Sequence, residues 1–505
     1  MITAPFNFVP LSEEVFFPDW AQDVSHDIPF EDSQSGAIEI TLTAKSPIFV
    51  RDSKDEARFC HHQGEHYIPS TSVKGMIRSI VEILSFSKIE TGSFNDTTYS
   101  IRDLSDSNNF YMREMRKDTF CGWMRKDGND YIIEDCAKPG RIKHEEIDTI
   151  FGIDFASKFK KGTFANKADS KTALKKYAMI KSDTFTYPFK HTTTSTIGDK
   201  RYSLDKTSSL VGTVVFTGQP SGRDESKKIP SGKVYEFIFF EKKEDIVLEK
   251  KIVENFLFAY FDERETQPTE SPDWTYWKKK LNNGEKVPVF FQKSGKKIKH
   301  FGLSYLYKLP YAYSVKDGIP ETHTDDRYDL AQTVFGYVKG KKALRGRVHF
   351  SHFKATSNVQ ELGSTTEILG TPRASYFPIY VQQKDGNLYT TFMDASFALA
   401  GRKRYPIHAS NNTVKTTDTG NENVGTKFSP LKDGVVFKGK LKYHNLKKSE
   451  LGAVLSALTF HNTQGCFHNI GMAKALGYGK VKLTIDNLPK IEEYLKEFEV
   501  QMSQN

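Results

Sequence analysis

Two strand–helix pairs, one near each end of the sequence, constrain the fold of this 505-residue chain most strongly. Residues 37–44 alternate apolar and polar side chains with a period of two, which is typical of a strand with one buried face. Residues 70–86 place apolar side chains at helical spacing and so predict an amphipathic helix. Near the other end, the same arguments predict a helix over 449–460 and a strand over 481–485. A strand, a helix and further strands in each half predict an α+β fold made of two units.

The length of the chain exceeds that of one compact core, and a usual domain size of ~150 residues implies two to four domains. We place the division just before a helix that the apolar spacing predicts over 244–261. The predicted segments are an extended lead-in at 1–36, an N-terminal domain at 37–243, a C-terminal domain at 244–490 and a charged tail at 491–505.

The composition argues against several classes of protein. Hydrophobic residues make up 38% of the chain, which is enough for packed cores and excludes a fully disordered chain. No apolar run approaches the roughly 18 residues that cross a bilayer, so no membrane association is expected. The N-terminus lacks the pattern of a signal peptide, and the four cysteines form no CxxC pair. These features favour a reducing, cytoplasmic location over a disulfide framework or a zinc ribbon.

The charge balance permits a nucleic-acid partner without requiring one. Lys and Arg together number 72 against 63 Asp and Glu, which gives a formal net charge of +9. Such an excess suits a basic groove on an otherwise mixed surface. A solvated surface that is merely rich in lysine is the alternative.

The first candidate binding element lies at the start of the helix predicted over 70–86. Backbone N–H groups and the macrodipole at a helix start favour an anion such as a phosphate. Three hydroxyl groups and two cations four residues apart would complete a cradle for an RNA backbone; these residues are Ser70, Thr71, Ser72, Lys74 and Arg78. The alternative is an ordinary helix start at which one of the three hydroxyl residues is the N-cap.

A glycine-rich turn near the C-terminus is the second candidate. Gly471, Gly477 and Gly479 would let the backbone approach a ligand closely, while Lys474 and Lys480 would supply charge for phosphates. The turn is not a Walker A loop, because no Gly-Lys-Ser/Thr opens a helix after it. A hairpin turn that leads into an edge strand is the alternative.

Basic residues in the second half of the chain stand beside aromatic ones. Arg and Lys neutralise phosphates, while Tyr and Phe can stack on bases, so this combination is typical of a surface for single-stranded nucleic acid. A solvated run of lysines is the alternative. The arginines that we select are Arg345, Arg347, Arg373, Arg402 and Arg404.

The polar stretch that holds Cys60, His61, His62 and His66 raises the question of a metal site. Its spacing does not match a zinc finger, and no second ligand pair stands at a usual distance. Polar surface is therefore the favoured interpretation of this stretch.

Three motifs, in order along the chain, resemble those of the repeat-associated mysterious proteins, the RAMP superfamily. Tyr67-Ile-Pro-Ser-Thr-Ser-Val-Lys-Gly-Met-Ile-Arg78 is similar to that family's Ile-Pro-Gly-Ser-Ser-Leu-Lys-Gly element, with Ser70 in place of the usual glycine. Val334-Phe335-Gly336 followed by Gly346-Arg-Val-His-Phe-Ser351 resembles its Leu-Phe-Gly and Gly-Arg-Leu-x-Phe segments. Leu476-Gly-Tyr-Gly-Lys-Val481 resembles its glycine-rich loop. More than 250 residues separate the first two motifs, which implies large insertions or two RAMP units.

The resemblance implies ferredoxin-like (RRM-like) RAMP domains in a type III CRISPR effector complex. Its implied partners are guide RNA (crRNA), complementary target RNA and other effector subunits. In related subunits, an Asp in the loop after the first strand is needed to cut target RNA with a divalent metal. Carried onto this chain, that loop offers Asp52 and Asp55 as catalytic residues. Asp55, which we prefer for its spacing from the Ile-Pro element, would also bind Mg²⁺ or another divalent cation.

Three other functions stay open on the sequence alone. One is metal-independent processing of CRISPR repeat RNA, in which His61, His62 or His66 would be the general base. Another is a structural RNA-binding subunit without catalysis. The last is an unrelated β-rich protein that binds carbohydrate or nucleotide.

Overall fold

The computed structural model describes residues 4–504, except 54, 56, 90–96, 105, 153–171, 183–184, 195–199, 219–234, 264–268, 370–376, 385–388, 417–424, 487 and 489. Within this part of the chain it contains both helices and paired strands, so the predicted α+β class is confirmed. None of the described helices is long and apolar enough to cross a membrane.

The described elements are as follows. The helices are α1 (Ser70–Leu84), α2 (Phe110–Met115), α3 (His144–Phe151), α4 (Thr172–Ile180), α5 (Lys250–Ala259), α6 (Pro272–Asn282), α7 (Leu330–Phe335), α8 (Phe377–Tyr380), α9 (Lys448–Thr459) and α10 (Ile491–Ser503). The strands are β1 (Asn7–Val9), β2 (Gln34–Ala44), β3 (His61–His62), β4 (Glu65–Ile68), β5 (Ser100–Ile101), β6 (Phe120–Asp127), β7 (Asp130–Asp135), β8 (Gly140–Lys143), β9 (Phe185–Thr194), β10 (Lys200–Leu204), β11 (Val211–Val215), β12 (Tyr235–Phe239), β13 (Asp245–Val247), β14 (Val287–Ser294), β15 (Lys297–Gly302), β16 (Leu309–Pro310), β17 (Gly336–Lys339), β18 (Lys342–Arg345), β19 (Val348–Phe350), β20 (Phe353–Ser357), β21 (Thr365–Ile368), β22 (Arg402–Arg404), β23 (Gly425–Phe428), β24 (Val436–Leu446), β25 (His468–Asn469) and β26 (Lys480–Asp486).

The chain divides into two compact units, the first of which is discontinuous in sequence. The first unit combines residues 1–95 with 315–505, and the second unit comprises residues 96–314. The division predicted at residue 244 does not coincide with this boundary, because it falls inside the second unit. In the first unit, antiparallel pairing of β2 with β24 and β26 joins the two ends of the chain in one sheet.

The central sheet of the first unit has the strand order of a ferredoxin-like fold. Four of its strands run in the order β26, β2, β24, β20, and each pairs antiparallel with its neighbour. They are the fourth, first, third and second strands of a βαββαβ arrangement, in which α1 follows the first strand and α9 follows the third. The resemblance implied ferredoxin-like domains, and the presence of two of them in this chain stays a prediction.

The alternation along β2 explains how this sheet and its helices form a core. Ile38, Ile40 and Leu42 are buried, whereas the residues between them are more exposed. The helix α1 buries its apolar stripe in the same core, and α9 is buried along most of its length. The other side of α1 therefore remains accessible to solvent and to other parts of the unit.

The second unit contains a five-stranded sheet and a closed barrel. The sheet runs β13, β7, β6, β14, β15, and the barrel joins β10, β8, β12, β11 and β9. An apolar core includes α5 and α6; in it the ring of Phe256 lies 4.8 Å from that of Trp274 and 4.4 Å from that of Phe301, between centroids. The second unit thus differs in strand arrangement from the first.

The helix predicted over 244–261 begins later than expected. Residues Asp245–Val247 form the strand β13, which pairs antiparallel with β7 through Ile246 and Ile133. The helix α5 begins only at Lys250. Pairing with a strand more than a hundred residues away overrides the local helical spacing at this point.

Candidate nucleic-acid interface

The helix α1 begins directly after Pro69, which occupies the N-cap position. No side chain caps the helix, so a capping role for one of the three hydroxyl residues is wrong. Instead, the backbone N–H of Ser70 donates to Nδ1 of His352 at 3.1 Å. Within the described part of the chain, the hydroxyl groups of Ser70, Thr71 and Ser72 take part in no hydrogen bond, so a ligand at this helix start could use them.

Lys74 lies one turn farther along α1 and is half-buried. Its Nζ stands 3.4 Å from the backbone carbonyl oxygen of Phe335. Burial lowers the pKa of Lys74, and the charge of Arg78 lowers it further. The exposed Arg345 belongs to the same neighbourhood, because burial, Arg345 and Lys74 together lower the pKa of His349.

The strand β22 contacts the outer side of α1 through a shared carboxylate. Glu82 accepts from Nε of Arg78 at 2.9 Å and from Nη1 of Arg402 at 2.9 Å. Arg402 also donates to two backbone carbonyl oxygens just after α1, at 2.8 and 2.9 Å. One negative charge thus balances two guanidinium groups, and the pair retains a net positive charge.

Arg404 extends this contact to the glycine-rich turn. It donates from Nη1 to Oγ of Ser79 on α1 at 2.7 Å. Burial lowers the pKa of Lys474, and the charges of Arg404 and Lys403 lower it further. The Nζ atoms of Lys403 and Lys474 stand 4.9 and 5.9 Å from the ring centroid of Tyr405. We term the resulting electropositive surface the basic face; it consists of Lys74, Arg78, Lys403, Arg404 and Lys474.

Three cations of the basic face have no carboxylate to balance them. Within the described residues, Lys74, Arg404 and Lys474 form no ion pair, and burial lowers the pKa of each of them. Desolvated charges without a counter-charge destabilise a protein, so a bound anion would relieve this cost. A nucleic-acid backbone supplies a row of such anions, one per nucleotide.

The glycine-rich turn packs against the protein's own backbone. A Cβ atom on Gly471 would lie 2.1 Å from the carbonyl oxygen of Phe49, and one on Gly479 would lie 1.9 Å from that of Ile470. Gly477 is buried as well, and all three glycines have positive φ angles, between 76° and 88°. The close approach that we predicted for a ligand is made here by the chain itself.

Two of the predicted RNA contacts lie inside the protein. Arg347 is fully buried and pairs with Glu450, which is also buried, so the predicted RNA contact is wrong for Arg347. Lys480 is only 5% exposed, and its Nζ donates to two backbone carbonyl oxygens at 3.0 and 3.2 Å. Lys480 thus stabilises the turn. Arg373 lies outside the described residues.

The two aspartates after β2 differ in their surroundings. Asp52 is 6% exposed, and its Oδ2 stands 3.1 Å from Nδ1 of His61. Asp55 is exposed, and its Oδ1 accepts from the backbone N–H of Ala57 at 3.0 Å. Asp52 is therefore engaged by the protein's own loop, whereas Asp55 is open to a ligand from solvent.

The residues around this loop offer few donors for a divalent ion. The described residues hold no group of three or more His, Cys, Asp or Glu side chains that could bind a metal. His66 pairs instead with Glu361, at 2.8 Å between Nε2 and Oε1. Magnesium is usually held by one or two carboxylates together with waters and phosphates. Asp55 fits that pattern as a single protein ligand, because its carboxylate is exposed.

Sequence reasoning missed the residues that join the basic face together. Ser79 and Glu82 accept hydrogen bonds from arginines of β22. The spacing of Arg78 and Glu82, four residues apart, would have indicated an ion pair along the helix. The contact of Glu82 with Arg402, 320 residues away in sequence, has no local pattern to reveal it.

Comparison with known proteins supports the family resemblance for part of the chain. Residues 41–271, a little under half of the chain, match the family model for the RAMP superfamily. Among solved structures, the chain is similar to the crystal structure of Thermofilum pendens Csc2, with 13% identity and a TM-score of 0.16 over 38% of this chain and 52%, about half, of that one. It is also similar to a chain of a structure described as "CRISPR RNA-guided surveillance complex, pre-nicking", with 10% identity and a TM-score of 0.23 over 93% of this chain and 87% of that one. No curated protein matches the sequence.

Proposed function

We propose that this chain is a RAMP-superfamily subunit of a CRISPR ribonucleoprotein and that it holds guide RNA by its phosphates along the basic face. The family match of residues 41–271, which includes the whole of α1, supports the superfamily part of this proposal. The observation that carries the RNA-binding part is the group of half-buried cations without carboxylate partners: Lys74, Arg404 and Lys474.

The arrangement of the basic face favours an extended anion over a small one. Its cations come from α1, from β22 and from the glycine-rich turn, so they form a surface rather than one pocket. A guide of variable sequence must be bound without reading its bases, and contacts to phosphates achieve this. Tyr405, beside Lys403 and Lys474, offers a ring on which one base can stack.

The finer assignment rests on the resemblance of the three sequence motifs. We propose that the complex is a type III effector, in which the bound guide pairs with target RNA and further effector subunits flank this chain. The ferredoxin-like strand order of the first unit is compatible with such a subunit.

The test of RNA binding is the triple variant Lys74→Ala, Arg404→Ala, Lys474→Ala. Fluorescence anisotropy with labelled single-stranded RNAs of several sequences should show weaker binding to all of them, because the lost contacts are to phosphates. The slope of log affinity against log salt should become shallower by about 2, since each phosphate contact to a single strand contributes about 0.7.

A matched control removes three lysines from the solvent-exposed face of the central sheet of the first unit, away from the basic face. Lys438, Lys440 and Lys442 alternate along β24 and are exposed, so their replacement by alanine changes the net charge equally. This control should bind RNA as the parent does. If both triple variants lose the same affinity, overall charge rather than the basic face governs binding, and the proposal fails.

A second proposed activity is cleavage of target RNA at Asp55 with a divalent ion. The exposure of Asp55, compared with the burial of Asp52, favours it over its neighbour. The carboxylate would bind the ion or orient the ribose 2′-OH that attacks the adjacent phosphate. The attack forms a 2′,3′-cyclic phosphate as the bond from phosphorus to the 5′-oxygen of the next nucleotide breaks; the 2′-OH gives its proton to water, and the leaving 5′-oxygen takes one from water. When bound, magnesium would stabilise the charge that develops on the phosphate oxygens.

Cleavage is tested in the assembled complex with labelled complementary RNA, with magnesium and with chelator. Asp55→Asn should abolish cleavage and leave guide binding intact, while Asp52→Asn should have a smaller effect on cleavage. Cleavage that survives chelation and is lost in His61→Ala, His62→Ala or His66→Ala would instead favour metal-independent processing. If the parent complex binds guide RNA normally and cleaves no target RNA, with magnesium or with chelator, the chain is a structural subunit.

A further inference from the structure

The second unit contains a cavity that the basic face does not use. Its volume is about 160 Å³, below the roughly 300–1,000 Å³ of pockets for drug-sized ligands. A cavity of this size suits one ring system rather than a whole nucleotide. The lining residues that matter for its chemistry are Arg102, Tyr260, Asp273, Trp277, Ser304 and Lys308.

Asp273 lines the cavity, and its carboxylate forms no hydrogen bond within the described residues. It lies in the first turn of α6, and its Oδ1 atom is buried without a hydrogen-bond partner in the described part of the chain. Burial raises the pKa of Asp273 to about 6, against the opposing effect of Arg102. A buried polar atom without a partner costs about 1–3 kcal/mol, so a ligand donor that reaches the accessible part of this carboxylate would be favoured.

The other lining residues supply flat apolar surface and positive charge. Tyr260 and Trp277 are both buried, and the hydroxyl of Tyr260 accepts from the backbone N–H of Leu303 at 3.1 Å, which fixes the ring. Lys308 lies with its Nζ 5.4 Å from the ring centroid of Tyr260. Arg102 is exposed, so it can contact a phosphate outside the cavity while it lines the wall.

We propose that this cavity binds a guanine base of RNA, with Asp273 accepting from the base edge and Tyr260 and Trp277 bounding its ring. The proposal rests on the proposed RNA-binding function and extends it from phosphates to one base. Unpaired bases in single-stranded RNA are commonly recognised in this way, by aromatic contacts and by hydrogen bonds to their Watson–Crick edge.

The choice of guanine follows from the chemistry of the acceptor. An ionised carboxylate can only accept hydrogen bonds, so it suits an edge that presents donors. Guanine presents N1–H and N2–H side by side, whereas adenine and cytosine place an acceptor nitrogen beside their amino group. Uracil has a single N–H between two carbonyl oxygens, which a carboxylate repels.

The test uses GMP and AMP as probes, with calorimetry on the full chain. The parent should bind GMP at least about 5-fold more tightly than AMP, the lower end of the discrimination that a good bidentate contact gives. Asp273→Asn should lose this preference or reverse it, because a neutral amide matches the donor and acceptor pair of adenine. Equal binding of the two nucleotides by the parent, or an unchanged preference in Asp273→Asn, would overturn the proposal.

Two further variants separate this cavity from other effects. Asp130→Asn changes an exposed carboxylate of the second unit and should keep the preference for GMP, whereas Arg102→Ala, at an exposed position, should weaken the binding of both nucleotides. The Lys74→Ala, Arg404→Ala, Lys474→Ala variant should lose affinity for RNA oligonucleotides and keep its preference for GMP. Loss of the GMP preference in that variant would place the base site on the basic face and refute the cavity assignment.

Discussion

Arg347 shows how burial decides the role of a single charged residue. Its guanidinium is fully buried, pairs with the buried carboxylate of Glu450 and donates to the carbonyl oxygen of Thr333 at 3.0 Å. Arg345, two residues earlier, is exposed. An arginine thus stabilises the core of the first unit at position 347 and is accessible to solvent at position 345.

This difference in burial predicts that two alanine substitutions change the free energy of unfolding by very different amounts. Arg347→Ala should lower the free energy of unfolding by about 3–5 kcal/mol, because it leaves Glu450 as an unpaired buried charge. Arg345→Ala should change it by less than about 0.5 kcal/mol. Urea denaturation followed by circular dichroism measures both. Equal, small effects would show that the buried ion pair does not stabilise the fold.

His468 predicts a dependence of stability on acid pH. It is 3% exposed, its Nε2–H donates to the carbonyl oxygen of Leu458 at 3.1 Å, and burial lowers its pKa to about 4. In the unfolded chain the pKa is about 6.5, so between pH 6.5 and 4 the unfolded state binds more protons. Stability should therefore fall as the pH drops through this range, by about 3 kcal/mol in all.

The variant His468→Gln isolates this contribution, because glutamine can donate to Leu458 but does not titrate. Thermal unfolding at pH 7.0 and 4.5 should show a smaller loss of melting temperature for the variant than for the parent. The same loss in both proteins would mean that other groups cause the acid sensitivity.

The sequence was enough to select several charged residues as candidates for RNA binding. It was not enough to predict which of them are buried in the protein and which are accessible to a ligand. Lys74, Arg78, Arg404 and Lys474 stand in motifs with hydroxyl, aromatic or glycine neighbours, and the structure brings them together. Arg347 and Lys480 stand in the same motifs and are buried. The burial of Arg347 depends on its partner Glu450, which is 103 residues away in sequence. No local sequence pattern predicts such a distant contact.

Among the elements, the glycine-rich turn has a structural requirement that can be measured. Gly479 has a φ of +76°, and a Cβ there would meet the carbonyl oxygen of Ile470 at 1.9 Å. Gly465 has nearly the same φ, +77°, and nothing lies within 4 Å of its Cβ position. The two glycines share the backbone conformation and differ in the space around it.

Gly479→Ala should therefore destabilise the protein more than Gly465→Ala. The control substitution carries only the cost of a left-handed conformation, about 1–2 kcal/mol. Gly479→Ala adds a clash with backbone, for a total of about 2–5 kcal/mol. Urea denaturation measures the difference between the two variants. Equal destabilisation would refute the close packing of this turn.

Local periodicity is a good guide to elements that lie in the core of the first unit. The helix α1, predicted over 70–86, spans Ser70–Leu84, and α9, predicted over 449–460, spans Lys448–Thr459. Their apolar stripes face one core, so local pattern and tertiary packing agree. At β13 they disagree, because pairing with β7 decides the structure.

At the scale of the whole molecule, the first unit is assembled from both ends of the chain. The strand β2 comes from residues 1–95, while β24 and β26 come from 315–505, and the three pair in one sheet. A sequence read in order favours contiguous domains, which is why the division at residue 244 was expected. Only the pairing of distant strands reveals the discontinuous unit.

The same assembly predicts that bound RNA protects segments far apart in sequence at the same time. The basic face takes its cations from α1, from β22 and from the turn that holds Lys474. In hydrogen exchange measured by mass spectrometry, guide RNA should slow exchange in peptides that cover 70–78, 402–405 and 471–476, because RNA excludes water from all three. Peptides from 436–443 should exchange as in the free protein, since the side chains of Lys438, Lys440 and Lys442 face away from the helices. Protection of one segment without the other two would show that they do not form a single RNA-binding surface.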